Sequence, residues 1–579
     1  MASSRFILLA QCCTRSSSVA VKRPLVAASA SHPHTIRSFS TGGAEDYIVK
    51  SAESIEPFQK SNYTENLLID SHHWSHRVAL ECTLTKKATT YGRLRDQVAR
   101  WGGYLRKLGL GKGDVVAIVG PNVNETSPVV LGAGAIGVVM AAINPTYTPA
   151  EIADQLSDSN AKLVVAFSPL EPVIRAALTI CKVDIPIVGM GVPADTGIPM
   201  VSDIFDDDRI PFADAIDVSG SDPLSILYSS GTTGKPKGVV ISHEAASINL
   251  AMLLHPSTLF PGLLDREGPQ NNFLMLLPMF HVGGLFGVHA ISIHKGVRLV
   301  NYAKFDPKSF LRVLEDYQIS VLHLVPSLLN FLVSSPQCDA KVLQYVKSIL
   351  CGSAPMSNSG LTKLKEKVGR PIMFQQAYGM TETMFVTMDP INEEKVGWCG
   401  KLMPGVQAKV VDVSDPSKNL PPNIDGELII KTKSQMSGYL NNAEATAQAI
   451  DADGWLHTGD VGHYDQEGYF KIVDRTKDLI KVKGFQVSPS EIEEVLLQVP
   501  GIQDVSVTGV PHDRLGEAPR AYIVAKAPPS KKSIEEFLSS RLSENKQLVG
   551  GIVFVDALPR NSTGKVVKKQ LQQMKPRGD

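Results

Sequence analysis

The chain has no surplus charge: 58 Lys and Arg residues stand against 58 Asp and Glu in 579 residues. That balance excludes a nucleic-acid binder held mainly by phosphate contacts. No pair among the seven cysteines has C-x-x-C spacing; only Cys12 and Cys13 adjoin, and Cys82, Cys181, Cys338, Cys351 and Cys399 lie far apart. Such spacing fits a reducing compartment and excludes a disulfide framework or a structural zinc site. There is no internal repeat, and no low-complexity tract beyond the N-terminal segment. With 43% hydrophobic and 20% charged residues, wholesale disorder is excluded, and the length suggests one large and one small domain.

Acids are missing altogether from residues 1–44, which hold nine Ser and five basic residues, Arg5, Arg15, Lys22, Arg23 and Arg37. An Arg- and Ser-rich, acid-free start reads as a mitochondrial transit peptide. Arg37-Ser-Phe-Ser-Thr41 resembles a matrix-protease site, and the first acids, Glu45 and Asp46, follow at once. Phe6–Ala10 is too short for the apolar core of a secretory signal, and the chain ends Arg577-Gly578-Asp579 rather than in a Ser-Lys-Leu peroxisomal address. The mitochondrial matrix is the expected location, with the cytoplasm as alternative.

One uncharged stretch, Thr126 to Ala150, is long enough to suggest a membrane span, but Asn144, Pro145 and Pro149 interrupt it. Its spacing predicts a buried helix over Pro128–Ala142 and then a turn. Gly132-Ala-Gly134-Ala-Ile-Gly137 matches G-x-G-x-x-G, yet polar Asn122–Ser127 precedes it where a dinucleotide site needs a strand. The small residues are read as close helix packing.

Elsewhere β-branched runs alternate with helical patterns. Val115–Val119, Leu163–Ala166, Leu224–Tyr228, Phe273–Leu277, Val297–Val300 and Val321–Leu324 read as buried strands; Tyr91–Leu108 and Pro307–Tyr317 read as helices. This predicts an α/β large N-terminal domain with mainly parallel sheets. From about Lys477 a small α+β C-terminal domain is expected. Its first helix starts at the capping box Ser488-Pro-Ser-Glu491, and strands follow near Val505–Val510 and Tyr522–Ala525.

The run Tyr228-Ser-Ser-Gly-Thr-Thr-Gly-Lys-Pro-Lys-Gly238 follows a predicted strand. Its glycines let backbone N–H groups face an anion, its hydroxyls add donors, and Lys235 and Lys237 add positive charge. It is a phosphate-cradling pattern but not a Walker A loop: Gly231 and Gly234 are too close, and Pro236 stands where a Mg²⁺-binding hydroxyl would be.

Ser229–Gly238 resembles the signature of the adenylate-forming enzymes, the superfamily of acyl-CoA synthetases, 4-coumarate–CoA ligases, firefly luciferase and the adenylation domains of peptide synthetases. The resemblance continues in order through Leu277-Pro-Met-Phe-His281, Cys351-Gly-Ser-Ala-Pro355, Gln376-Ala-Tyr-Gly-Met-Thr-Glu382 and Gly454-Trp-Leu-His-Thr-Gly-Asp460. It ends with Val473-Asp-Arg-Thr-Lys-Asp478, Lys481-Val-Lys-Gly-Phe-Gln486 and Pro559-Arg-Asn-Ser-Thr-Gly-Lys565, covering about residues 60 to 575. It implies a large AMP-binding domain over 45–474, a mobile small domain over 475–579 and a hinge near 474–477. The implied reaction joins a carboxylic acid to CoA through an acyl-adenylate, consuming ATP with Mg²⁺.

The resemblance also implies roles. Ser229, Ser230, Gly231, Thr232, Thr233, Lys237 and Thr381 would meet ATP phosphates, and Glu382 would hold Mg²⁺. Ser353, Gln376, Ala377 and Tyr378 would surround the nucleotide, with Asp460 on the ribose hydroxyls and Arg475, Lys477 and Lys481 beside it. Lys565 would bridge carboxylate and α-phosphate as the principal catalytic group. Lys304, Lys483 and Gly484 would contact CoA, and His281 would gate acid from thiol. Taken singly, most of these would be structural: Asp474-Arg475 a surface ion pair, Lys565 a solvated lysine.

Two departures bear on the substrate. Gly283 and Gly287 stand where plant coumarate ligases place a Tyr and a Ser in the acid pocket, and Ala377 replaces a common glycine. A Gly-floored pocket predicts a medium- or long-chain fatty or an aryl-alkyl acid rather than a hydroxycinnamate. The alternatives are a luciferase-like adenylating oxygenase and a non-catalytic nucleotide-binding relative.

Overall fold

The computed structural model describes residues 47–193, 197–229, 236–263, 267–352, 358–483, 485–560, 566–571 and 573–574. The leader therefore lies outside the described residues, as do Ser230, Gly231, Thr232, Thr233, Ser353, Gly484 and Lys565.

The described residues form four sheets. In the first, Pro223–Ser229, Val139–Ile143, Val115–Val119, Leu163–Phe167 and Ile187–Met190 run parallel in that spatial order. Lys237–Ser242 and Gly438–Tyr439 add antiparallel strands at its edge. A nine-stranded sheet has a parallel centre that includes Asn272–Met275, Arg298–Asn301, Val321–Leu324, Ser348–Gly352 and Met373–Met380. Val49–Lys50, Gln407–Val411, Gly426–Lys431, Leu456–Tyr464 and Phe470–Arg475 form an antiparallel third sheet. The small C-terminal sheet begins at Ile480–Val482, five residues beyond the end of Phe470–Arg475.

Local chemistry accounts for these elements. Helix Tyr91–Lys107 starts where the Thr90 hydroxyl accepts the Arg93 N–H, and buries Tyr91, Leu94, Val98, Trp101 and Leu105 along one face. Helix Thr126–Ala135 is buried on every side. A Cβ on Gly132 would lie 2.6 Å from the Val98 carbonyl oxygen, so the glycine allows the two helix backbones to approach. The G-x-G-x-x-G run is thus a packing surface. The helix predicted to reach Ala142 ends at Ala135; Gly137 turns the chain at φ +73°, and Val139–Ile143 is a central strand. A run of small and β-branched apolar residues suits either element, and the left-handed glycine divides it.

In the small domain Ser488 caps helix Pro489–Leu496, its hydroxyl accepting the Glu491 N–H. The Glu491 carboxylate pairs with Lys546 instead of closing the predicted box. Among the described residues, no helix is long and apolar enough to cross a membrane.

Candidate active site

The phosphate-type loop joins two antiparallel strands, with Tyr228 opposite Gly238 and Ser229 opposite Lys237. A Walker loop leads into a helix; this one is the turn of a hairpin. Register thus sets Ser229 and Lys237 side by side at its base. The Lys237 ammonium lies 4.7 Å from the centre of the Tyr439 ring, on the strand that pairs with Val239 and Val240. The Tyr439 hydroxyl donates to Glu382 Oε1 at 3.0 Å. Burial, and then the Glu382 charge, pushes the Tyr439 phenol well up, so it remains a donor. Glu382 is 7% exposed and follows Thr381 at the tip of the hairpin Met373–Met380/Met384–Met388.

A second cluster is built across the third sheet. Asp460 and Arg475 are cross-strand partners, and Arg475 Nε lies 3.0 Å from Asp460 Oδ1. The Tyr378 hydroxyl donates to Asp460 Oδ2 at 2.6 Å, its phenol pushed far up by burial and by Asp460. Gly459 (φ +67°) turns the strand just before Asp460, and its carbonyl accepts the Thr476 N–H. Both Asp460 oxygens thus hold a protein donor. A carboxylate offers about four lone-pair sites, so two remain for a vicinal diol such as a ribose.

Gly352, the last described residue before Ser353, pairs in parallel with Ala377. Ala377 and Tyr378 are half-buried, whereas Gln376 is only 7% exposed, and its Nε2 has no hydrogen-bond partner among the described residues.

Between the third sheet and the small C-terminal sheet, Lys477 reaches solvent, yet its ammonium is pushed down to about 8 by desolvation and then by Arg475, with Lys237 acting in the same direction. Asp478 and Asp460 oppose that shift. Asp474 Oδ2 accepts the Ser488 hydroxyl at 3.0 Å and the Ser490 N–H at 3.1 Å, tying the large domain to the first helix of the small one. Lys568 stands 4.0 Å from Asp474 and 3.8 Å from Asp478.

The remaining predicted residues are more exposed. Lys481 donates its N–H to Glu517, and Lys483 (φ +50°) pairs with Glu544 at 3.8 Å. Lys304 lies on an exposed loop after Arg298–Asn301. His281 precedes the π-helical turn Gly283–His289; its N–H donates to the Pro278 carbonyl, and its ring packs on Phe280 at 4.7 Å. The expected open floor is found only in part. A Cβ on Gly283 would meet only Leu277, at 3.8 Å, but one on Gly287 would lie 2.9 Å from the Phe385 ring. An aromatic side chain from the neighbouring hairpin fills the space that the second glycine leaves. Sequence reasoning missed both Phe385 and Tyr439, and the sole local signal was an aromatic following Met384 or Gly438.

A Gly- and Thr-rich segment between two antiparallel strands, a buried Asp460 with two free lone-pair sites and a small C-terminal α+β region fit an adenylate-forming enzyme. The chain belongs to the AMP-binding enzyme family: that family's model matches residues 70–440, and the model of the AMP-binding enzyme C-terminal domain matches residues 491–565. It is 34% identical to a 4-coumarate–CoA ligase-like protein of Oryza sativa subsp. japonica over 88% of this chain and 93% of that one. Among solved structures it resembles ATP-bound MatB of Rhodopseudomonas palustris, with a TM-score of 0.80 and 29% identity over 89% of this chain and 99% of that one. The o-succinylbenzoate–CoA synthetase of Bacillus subtilis, solved with its acyl-adenylate intermediate, gives a TM-score of 0.74 and 25% identity over 90% and 99% of the two chains.

Proposed function

We propose that this acid–CoA ligase activates a medium- or long-chain fatty or an aryl-alkyl carboxylic acid, with Mg²⁺, in the mitochondrial matrix. The ligase chemistry has two displacements. The carboxylate oxygen attacks the α-phosphorus of ATP, the bond to the β-phosphate oxygen breaks, and pyrophosphate leaves. The CoA sulfur then attacks the acyl carbon, loses its proton and expels AMP.

The observation that carries this reading is the pair of clusters built on buried carboxylates, Lys237–Tyr439–Glu382 and Tyr378–Asp460–Arg475. The first offers a cation and a carboxylate where phosphate charge develops. Tyr439 leaves one Glu382 oxygen for a metal. A lone carboxylate completed by substrate oxygens suits Mg²⁺, and the described residues hold no cluster of three metal-ligating side chains that would suggest another ion. When bound, Mg²⁺ would neutralise phosphate charge. Asp460 would hold the ribose and Arg475 would fix its carboxylate; Lys565 would meet the acid and the α-phosphate. Lys304, Lys483 and Gly484 would take CoA, with His281 between acid and thiol.

Support for an apolar acid comes from Phe385 over Gly287 and the space at Gly283 beside Leu277. The location rests on the acid-free leader. The test is thioester formation from ATP and CoA across short, medium and long fatty acids, aryl-alkyl acids and cinnamates, with O₂ uptake followed in parallel. Thioester from one apolar class without O₂ uptake is the expected result. Preference for hydroxycinnamates would overturn the substrate assignment.

A further inference from the structure

Asp389 has no place in the chemistry above, yet no solvent reaches it. It lies directly after strand Met384–Met388 and holds Gln376 twice. Its own N–H donates to the Gln376 carbonyl at 2.9 Å, and its Oδ2 accepts the Gln376 N–H at 2.8 Å. Its carbonyl in turn accepts the Gln375 side-chain amide at 2.7 Å. Oδ1 is buried with no hydrogen-bond partner among the described residues. Burying a carboxylate that is only half satisfied is costly, and removing the Gln376 contact would leave a peptide N–H orphaned as well. The grip falls one and two residues before Ala377 and Tyr378, and Tyr378 reaches Asp460.

We propose that Asp389 is a positioning residue for the nucleotide: its carboxylate fixes the strand that presents Ala377 and Tyr378 to the adenine–ribose end of the cleft. This rests on the ligase reading, since it needs a nucleotide in that cleft.

The groups around Asp389 give the grip a pH dependence. Burial first, and then Glu394, pushes its carboxyl up to about 7; the Gln376 contacts and the Lys395 N–H oppose the rise. Cys399 and Tyr469 also face it. Burial pushes the Cys399 thiol up to about 11, and burial with Glu393 and Asp389 pushes the Tyr469 phenol above its usual range, so both stay neutral near pH 7. The Lys395 ammonium pairs with Asp465 and Glu467. As Asp389 ionises, its bond to the Gln376 N–H becomes charge-assisted, so the strand is held more firmly at higher pH.

The test is calorimetric ATP binding to the full chain between pH 6 and 8, for the wild type and Asp389→Asn, with CoA binding and a thermal melt as controls. ATP's own phosphate titration is common to both proteins and cancels in their ratio. Asp389→Asn is expected to bind ATP about tenfold more weakly at pH 8 and within about twofold at pH 6, with CoA affinity unchanged. Equal ATP affinity at pH 8 and a flat ratio would overturn the proposal, even with a lowered melting temperature. Should the variant not fold, adenosine binding to the wild type at pH 7 and pH 8, in buffers of different ionisation enthalpy, decides. Adenosine has no phosphate to titrate, so proton release at pH 7 that fades by pH 8, where Lys477 rather than Asp389 would titrate, supports the role; no release, or release that grows toward pH 8, overturns it. A wild type that bound neither ATP nor adenosine would overturn the ligase reading and this proposal together.

Discussion

The Asp460 cluster of the large domain and the lysines of the small domain are held by different means. Asp460 is 4% exposed, with Tyr378 on one oxygen and Arg475 on the other, and its strand register is set by the third sheet. Lys481 and Lys483 are exposed, and the Lys483–Glu544 pair spans 3.8 Å between two solvated side chains. A hydrogen bond to a buried charge contributes roughly 1.5–3 kcal/mol, an exposed ion pair about 0–1. The nucleotide end is therefore organised by folding itself, while the small-domain lysines are left free to exchange partners. A reaction with two half-steps in one cleft calls for that division: one substrate stays while the groups around it change. Asp474 stands between the two regimes, buried in the large domain yet bonded to Ser488 and Ser490 of the small one.

Four outcomes sharpen or break this contrast. The largest concerns Lys565. Lys565 lies outside the described residues, between Pro559 and Val567, which are joined by the Val567 N–H donating to the Pro559 carbonyl at 2.8 Å. Lys565→Ala is expected to lower acid-dependent ATP–pyrophosphate exchange by about 10²–10³-fold, with ATP binding nearly unchanged. Next is Asp460→Asn, which removes the charge that both Tyr378 and Arg475 address. ATP affinity should fall about tenfold and the melting temperature should drop, whereas charge reversal at Lys483 should leave both intact.

Third is acid. Burial pushes His243, His289 and His323 of the large domain down to about 4, so they stay neutral in the folded state while the unfolded chain protonates near 6.5. Their stability contribution is present above about 6.5 and is lost as pH falls toward 4. Asp389 works the other way over part of that range, holding a proton that the unfolded chain has released. With three histidines against Asp389 and Glu125, whose carboxyl burial also raises, the large domain should melt at lower temperature as pH falls. Among the described residues the small domain holds no such histidine, and its half-buried Glu493, a carboxyl raised by burial, acts as Asp389 does, so its transition should not fall with that of the large domain in calorimetry. Smallest is Asp474→Asn, which weakens the Ser488, Ser490 and Lys568 contacts. It should shift the ratio of pyrophosphate exchange to thioester formation by about 2–5-fold while leaving ATP affinity alone.

Much of this was legible before any coordinates. Val115–Val119 and Val321–Leu324 fall where the β-branched runs place them, because a buried parallel strand has to be apolar on both faces. The ordered motifs singled out Asp460, Arg475, Glu382 and Lys237, and the structure pairs Asp460 with Arg475 and links Lys237 to Glu382 through Tyr439. The break at Gly137 was not legible: Val138-Val-Met-Ala-Ala-Ile143 satisfies helix and strand patterns alike. Tyr439 reaches Glu382 only through pairing between distant strands, and Phe385 covers Gly287 from another hairpin. Asp389 reads as the start of a polar loop until Gln376 is seen folded against it. Contacts of that kind carry no local pattern.

The claim that a prebuilt nucleotide end supports carboxylate activation is tested most directly without CoA. Labelled pyrophosphate should enter ATP only when a suitable acid is present, and most strongly with a medium- or long-chain fatty or an aryl-alkyl acid. No exchange with any acid of these classes, from protein that binds ATP, would contradict it.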